Sequence, residues 1–523
     1  MTESQLSQEQ QYALELFKQG KNLFITGPAG TGKTFLIKQL IQHANMNETK
    51  IQVCALTGCA ALLLNCNART LHSWSGIKIA KGTKLDVIAS VFRNKQAIKN
   101  WKKIQILIVD EVSMMSMKIL DIIEELARAI RHSALPFGNI QVIFTGDFYQ
   151  LPPVETFGEP DSAAFCFESK QWSKIFEPKN HIILQTIFRQ TDPQYREILN
   201  QVRIGHLDPD KIAILQQYVG REFKSEEHAG CSLPKLFPIR SKVDLVNATM
   251  FAKLKEPEHV FECIRIHNCK MLIEKEIAIS QEILEKCKKL SPQEIEFEIS
   301  QLIQSTQCVQ VLRLKKSAAV MCTVNLDIDQ GICNGSQGII IDIKVDGLGQ
   351  ICPIVRFSNG LIKSMQIQYK QSEDFPMIAI GYIPLCLSWA MTIHKIQGSS
   401  LKMAEIDIGG SIFEYGQSYV ALSRVESLNG LYLSGFQPDK IKANEKVTRF
   451  TESFCNNIYE LVDSIIPVDS LTNTGVSLTN TDVSLTKPLD FEEYKYIEST
   501  RCELTNGESN VKSTDSKKIR ISW

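Results

Sequence analysis

The chain of 523 residues carries 44% hydrophobic and 22% charged side chains, which excludes a disordered, collagen-like or membrane-embedded protein and exceeds what one core holds, so about two to four domains are expected. Its 58 Lys and Arg balance 58 Asp and Glu, so the basic surplus of a passive nucleic-acid binder is absent and any polyanion must meet a local groove. No apolar run reaches the ~18 residues of a membrane span, the N-terminal stretch shows no secretory or transit pattern, and the 15 cysteines contain no C-x-x-C pair, so an intracellular, reducing setting is expected.

In chain order, Asn22 to Thr26, Ile104 to Asp110 and Gln141 to Thr145 are short apolar segments that each end in a Gly or acidic cluster, with helix-like stretches between them. That pattern predicts a parallel sheet with crossover helices, and ligands of such sheets sit at the carboxyl ends of the strands. The first segment runs into Gly27-Pro28-Ala29-Gly30-Thr31-Gly32-Lys33-Thr34, which fills every position of G-x-x-x-x-G-K-[ST]. Glycines let backbone N–H groups close around phosphates, Lys33 neutralises the β and γ oxygens, and the Thr34 hydroxyl is a ligand for Mg²⁺. The second segment ends in Asp110-Glu111, where the first carboxylate suits Mg²⁺ and the second suits polarising an attacking water, so hydrolysis of the triphosphate is expected. The third is followed by Gly146-Asp147-Phe148-Tyr149-Gln150-Leu151-Pro152-Pro153, in which Gln150 is placed to sense the γ-phosphate and the prolines stiffen the exit.

Farther on, Ile273, Ile277, Leu284 and Cys287, then Ile295, Ile299, Leu302 and Ile303 after Ser291-Pro292, predict two amphipathic helices joined at the proline. From Ala318 to Pro384, β-branched runs flank Asp346-Gly347 and Asn359-Gly360, which predicts hairpins and a small antiparallel barrel. Strand patterning returns at Met403 to Ile408 and Gly430 to Phe436, so a second α/β domain surrounds the barrel. After Pro467 a seven-residue repeat beginning at Ser470 lacks two seam positions per heptad, and this tail is expected to be disordered.

Taken together, the motifs resemble the Pif-one helicase family, in the 5′-to-3′ branch of helicase superfamily one, from Leu6 to about Phe436. Leu6 to Gln10 is similar to the adenine-reading Q motif; Thr57 to Ala61 with Thr70 to Ile77 resembles motif Ia; Asp121 to Gln141 resembles the segment that separates this family from RecD-like relatives. Phe188-Arg189-Gln190 resembles motif IV, Val320-Met321 with Asn334 to Gly338 the entry to an inserted barrel, Trp389 to Gly398 motif V, and Gln417 to Arg424 motif VI. Cys59, Trp74 and Ile396 depart from the family pattern at positions between its key polar residues.

The resemblance implies two RecA-like lobes with parallel sheets and ATP in the cleft between them: lobe 1 at 1–185 with a wedge insertion near 72–100, lobe 2 at 186–255 and 385–466, a helical insertion at 256–317, a Src-homology-3-like barrel at 318–384, and the tail at 467–523. It implies that Gln10 and the phosphate loop bind ATP, and that Arg189 and Arg424 reach the γ-phosphate as arginine fingers. Thr57, His72, Thr392, His394, Lys395 and Gln397 are the implied contacts to single-stranded DNA. The expected partners are ATP, Mg²⁺, and single-stranded, duplex or forked DNA, with a monomeric protein acting in the nucleus of a eukaryote or otherwise in the cytoplasm. A nucleotide switch that never moves on DNA is disfavoured by the motif Ia, V and VI runs. A scaffold with a dead ATPase is disfavoured by retention of Lys33, Glu111 and Arg424.

Overall fold

The computed structural model describes residues 6–453 except 224–232, 268–284, and positions 65, 67, 79, 157, 286, 288, 307, 328–329, 331, 333, 346, 348 and 373–374. The amphipathic pattern at Ile273, Ile277 and Leu284 and the repeat from Ser470 lie outside these residues.

Lobe 1 is built on six parallel strands, β1 (Leu23–Thr26), β2 (Ile51–Ala55), β3 (Arg69–Thr70), β4 (Ile106–Asp110), β5 (Gln141–Thr145) and β6 (His181–Ile183), in the order β3-β2-β4-β5-β1-β6. The order reverses around β1, so the loop after β1 opens at a crevice suited to a ligand. Helices α1 (Gln8–Lys18), α2 (Lys33–Met46), α3 (Gly58–Leu64), α4 (Leu71–Ser75), α5 (Lys84–Arg93), α6 (Lys95–Lys103), α7 (Met117–Arg131) and α8 (Trp172–Ile175) connect and cover the strands. Strand alternation sorts the core into two layers. Ile106 and Ile108 pack with Leu36, Ile37 and Leu40 of α2 on one face, while Leu107 and Val109 pack with Ile122 and Leu126 of α7 on the other. Burial on both faces is why these strands read as unbroken apolar runs.

Lobe 2 contains α9 (Pro193–Arg203), α10 (Pro209–Gln216), β7 (Lys235–Phe237) and α11 (Arg240–Lys253) before the chain departs into an insertion. The insertion comprises β8 (His259–Glu262), β9 (Ile264–His267), α12 (Pro292–Thr306), β10 (Val311–Leu314), β11 (Ala319–Cys322), β12 (Gln337–Val345), β13 (Ile351–Phe357), β14 (Ile362–Ser364), β15 (Gln368–Gln371), β16 (Ile378–Tyr382) and β17 (Leu385–Leu387). The chain returns through β18 (Ala390–Thr392), β19 (Ala404–Ile408), α13 (Gln417–Leu422) and β20 (Leu431–Phe436), which complete a parallel sheet ordered β18-β7-β19-β20.

Antiparallel pairing joins β14-β13-β12-β11-β17 and β15-β16-β9, and β8 pairs with β10. At the Asn359-Gly360 turn Gly360 takes φ +88°, a left-handed value that glycine adopts without strain. Ser291 caps α12 reciprocally with Glu294, with Pro292 at the first helical position, and Ile299, Leu302 and Ile303 bury against Ile378, Ile380 and Tyr382.

Three segments depart from expectation. The segment 256–317 opens with two strands rather than a helix, because Val260, Phe261, Ile264 and Ile266 are only half covered and pair with β10 and β16. Leu385–Leu387, expected to begin the returning half of lobe 2, pairs with β11 and so belongs to the inserted sheet. The helical residues 445–453, expected in lobe 2, pack on lobe 1: Val447 is fully buried in its core, and Phe450 stacks on Phe167 at 4.1 Å with the rings 8° from parallel. Aromatic stacking on the Phe167, Phe148 and Trp172 cluster outweighs chain proximity to lobe 2.

Candidate active site

The phosphate loop begins at the buried end of β1, and its first residue, Gly27, leaves no room for a side chain: a Cβ there would lie 2.3 Å from the Leu184 carbonyl oxygen. Gly32 caps α2 with φ +79° and turns the loop into the helix. In this geometry the side chain of Lys33 folds back, donating from Nζ to the carbonyl oxygens of Gly27 at 2.7 Å and Pro28 at 2.9 Å. Burial lowers the Lys33 pKa, opposed by the negative charges of Asp147, Glu111 and Asp110. Gln10 is buried beneath the loop: its amide nitrogen donates to the Thr31 carbonyl at 3.3 Å and its oxygen accepts the Ser7 N–H at 3.1 Å. Both ends of the expected adenine reader are thus engaged by protein.

Asp110 and Glu111 follow β4 into the same cleft. Asp110 accepts from the Thr145 hydroxyl and from the Glu111 N–H at 2.9 Å, and burial pushes its pKa up. Asp110, a buried carboxylate whose charge acts on Lys33, and the hydroxyl of Thr34, the residue after Lys33, are oxygen donors of the kind a hard cation such as Mg²⁺ takes. Glu111 holds φ +57°, an uncommon conformation for a side-chain-bearing residue, and burial followed by the Asp110 charge raises its pKa to about 7.

From lobe 2, Gln397 reaches across the cleft, its amide nitrogen 3.0 Å from Glu111 Oε2 and 3.5 Å from Gln150 Oε1. Gln397 was expected on the DNA strand; its side chain is buried between Glu111 and Gln150. Motif V thereby ends inside the nucleotide cleft. Arg424 is 2% exposed and donates to the Val420 carbonyl, the Ser423 hydroxyl and the Ser399 carbonyl at 2.9, 2.8 and 3.3 Å. Burial first and the Arg189 charge second lower its pKa to about 9, with Glu111 acting the other way. Arg189 donates to the Ser423 carbonyl at 3.2 Å, and its Cβ lies 2.6 Å from where a Cβ on Gly30 would be, so it flanks the phosphate loop.

The remaining expected DNA contacts sit elsewhere. Thr57 accepts the Ala60 N–H at 3.2 Å and Thr392 the Lys395 N–H at 3.3 Å, so each hydroxyl shapes a loop while keeping its proton for another acceptor. His72 is half-buried against a cavity of about 220 Å³ lined by Leu56, Pro153 and Val154, and burial lowers its pKa. His394 stacks on the exposed ring of Phe413, centroids 6.4 Å apart and planes 19° from parallel. A half-buried imidazole beside an exposed ring suits base stacking on the exposed face. Lys395 follows in the same turn.

Sequence reasoning missed three members of the cleft. Asp147 is fully buried and bound bidentately by Arg203, from the end of α9 in lobe 2, with the guanidinium 4.4 Å from the centroid of the Tyr149 ring. Tyr419 of α13 accepts the Ala29 N–H at 2.8 Å. The acidic residue of the Gly146-Asp147 turn and the Tyr of the motif VI run were visible in sequence, but only the structure supplies their partners.

Two family models match this chain: one described as PIF1-like helicase over residues 5–208, and one described as DNA helicase Pif1, 2B domain, over residues 299–343. Uncharacterized protein 030L of Invertebrate iridescent virus 6 is 31% identical, covering 89% of this chain and 98% of the relative. The ATP-dependent DNA helicase PIF1 of Danio rerio is 34% identical over 85% of this chain but 63% of its own length, so the chain spans under two thirds of that relative. The crystal structure of Pif1 helicase from Candida albicans superposes with a TM-score of 0.67 at 30% identity, covering 86% of this chain and 99% of that one. Bacteroides Pif1 in complex with ADP-AlF4 gives a TM-score of 0.64 at 25% identity, covering 86% of this chain and 97% of that one.

Proposed function

Because the chain belongs to the PIF1-like helicase family, we propose that it is an ATP-dependent DNA helicase that moves 5′ to 3′ along single-stranded DNA and opens duplex or forked DNA. The observation that carries this reading is the meeting of Lys33, Glu111 and Gln150 from one lobe with Gln397, Arg189 and Arg424 from the other in a single cleft. A site divided in this way is complete only when the lobes are together, which is what coupling hydrolysis to a change of grip on a strand requires. Relatives named for single-stranded and forked DNA complexes of Pif1 support the same substrate class.

In this reading the phosphate loop and Lys33 hold the triphosphate, and Glu111, with a pKa near neutrality, accepts the proton of the attacking water. Gln150 and Gln397 orient that water, while Arg189 and Arg424 stabilise charge developing on the transferred phosphoryl group. Thr34 and Asp110 would hold Mg²⁺, which supplies charge neutralisation at the β and γ oxygens. Thr57, His72, Thr392, His394 and Lys395 supply the hydroxyls and rings of the strand path. The domain division is proposed as lobe 1, lobe 2 and an insertion, with the insertion running from β8 to β17 and the 445–453 helix assigned to lobe 1. Among the described residues no helix is long and apolar enough to cross a membrane, and a DNA substrate calls for an intracellular site of action.

The test is ATP turnover with and without single-stranded DNA, together with strand displacement on duplexes bearing either a 5′ or a 3′ overhang. Stimulated turnover and opening of the 5′-tailed duplex are expected. Opening restricted to the 3′-tailed duplex would refute the direction, and turnover indifferent to DNA would refute the coupling.

A further inference from the structure

Tyr419 lies five residues before Arg424 and is 2% exposed, yet its hydroxyl ends at the phosphate loop of the other lobe. It accepts the Ala29 N–H at 2.8 Å. A phenol has one proton to donate as well as lone pairs to accept with, and a buried donor normally has an acceptor. Among the described residues no acceptor is assigned to the Tyr419 proton. Asp147, Arg203 and Arg424 act on this ring electrostatically, and burial, the largest effect, raises its pKa, so the group stays protonated. The approach is enforced by the backbone: Gly416, which precedes α13, comes so near the carbonyl oxygens of Tyr149 and Gln150 that a Cβ there would lie 2.5 Å from each. The hydroxyl therefore cannot swing away without opening the seam.

We propose that Tyr419 reads the terminal phosphate of the bound nucleotide, its hydroxyl donating to a γ-phosphate oxygen while ADP leaves it on the Ala29 N–H alone. This rests on the assignment of the cleft as an ATP site and adds to it the residue that tells triphosphate from diphosphate. Because α13 is a short, fully buried helix that also presents Val420 to the Arg424 guanidinium, a proton turned to the γ-phosphate and an arginine brought to it are parts of one rigid element.

The experiment is equilibrium binding of a non-hydrolysable ATP analogue with an imido bridge, and of ADP, to the parent and to Tyr419→Phe, with melting curves of both proteins. The variant keeps the ring and removes only the hydroxyl. Loss of a hydrogen bond to a charged group predicts analogue affinity about tenfold or more weaker, with ADP affinity within about twofold of the parent. Equal weakening of both nucleotides, or a lowered melting temperature with an unchanged affinity ratio, would make Tyr419 a structural latch and overturn the proposal. Unchanged affinity for both would also overturn it. A parent that binds neither nucleotide would instead refute the ATP site itself, and with it this role.

Discussion

Arg203→Met isolates the contribution of a buried charge pair that joins the two lobes. In the parent the guanidinium Nε lies 3.0 Å from Asp147 Oδ2 and Nη2 lies 2.9 Å from Oδ1, while the carboxylate has no solvent exposure. Methionine keeps the length and apolar packing of the arginine stem but leaves Asp147 charged without its partner. Breaking one side of such a pair costs about 3 to 5 kcal/mol, which for lobes of this size corresponds to roughly 6 to 20 °C in melting temperature. Asp147 exerts the largest charge effect on Lys33, so the stranded carboxylate competes with phosphate for that lysine and ATP binding is expected to weaken as well. The double variant Asp147→Asn, Arg203→Met removes the orphaned charge and should recover about half or more of the lost stability, as a thermodynamic cycle would report. Melting curves and ATP titrations of the four proteins make the measurement. A single variant that melts within about 2 °C of the parent, or a double variant no more stable than the single, would refute the reasoning.

Glu111→Gln should bind ATP while turnover fails, since Asp110 and Thr34 remain for magnesium but no base is left; normal turnover would remove Glu111 from the chemistry. Arg424→Ala should lose the DNA-stimulated part of ATP turnover by ~10³-fold or more while binding nucleotide within about tenfold of the parent. Stimulation that survives the substitution would reduce Arg424 to a brace for α13. His181, whose Nε2 accepts the Trp172 indole N–H at 3.1 Å, has its pKa lowered from 6.5 chiefly by burial. Its folded form therefore binds a proton less readily than its unfolded form, so its contribution to stability is complete above about pH 6.5 and is lost as the pH falls below that value. Melting curves at about pH 7.5 and pH 5 should differ less for His181→Gln than for the parent, and an identical difference in both would show that the ring does not titrate with folding.

The phosphate loop, the Asp110-Glu111 strand end and strands β1, β4, β5, β19 and β20 were legible because their determinants are local, a fixed glycine spacing and apolar runs, whereas β2, β3, β6, β7 and β18 were not placed from sequence. β8 and β9 were hidden because His259–Glu262 and Ile264–His267 hold only two apolar residues each, flanked by polar or charged ones, and their pairing partners are distant in sequence. The cleft contacts of Gln397 were hidden for a related reason. Motif V sets the expected DNA contacts Thr392, His394 and Lys395 and the cleft-facing Gln397 within six residues, and the turn His394–Ile396 stands between them. The docking of residues 445–453 rested on Phe450 finding a cluster whose members begin at Phe24, a partnership no local pattern encodes.

The contacts across the cleft differ in kind, and the difference bears on how binding could move the lobes. Lys33 spends its ammonium on the Gly27 and Pro28 carbonyls, Tyr419 occupies the Ala29 N–H, and Gln397 donates to Glu111. A triphosphate offers Lys33 a stronger, charged acceptor and a water held by Glu111 offers Gln397 an alternative, so those two bonds are exchanged, while the Tyr419 proton gains a phosphate acceptor with its bond from the Ala29 N–H kept. Two of these three side chains belong to lobe 2, so the exchange is felt there. The Asp147 and Arg203 pair uses no atom that the nucleotide would claim, and the Gly416 backbone is pressed against the Tyr149 and Gln150 carbonyls. The contacts that leave the nucleotide's atoms alone therefore lie beside the exchangeable ones at the end of β5, and a lobe held at that point and released at its neighbours is expected to rotate instead of dissociating.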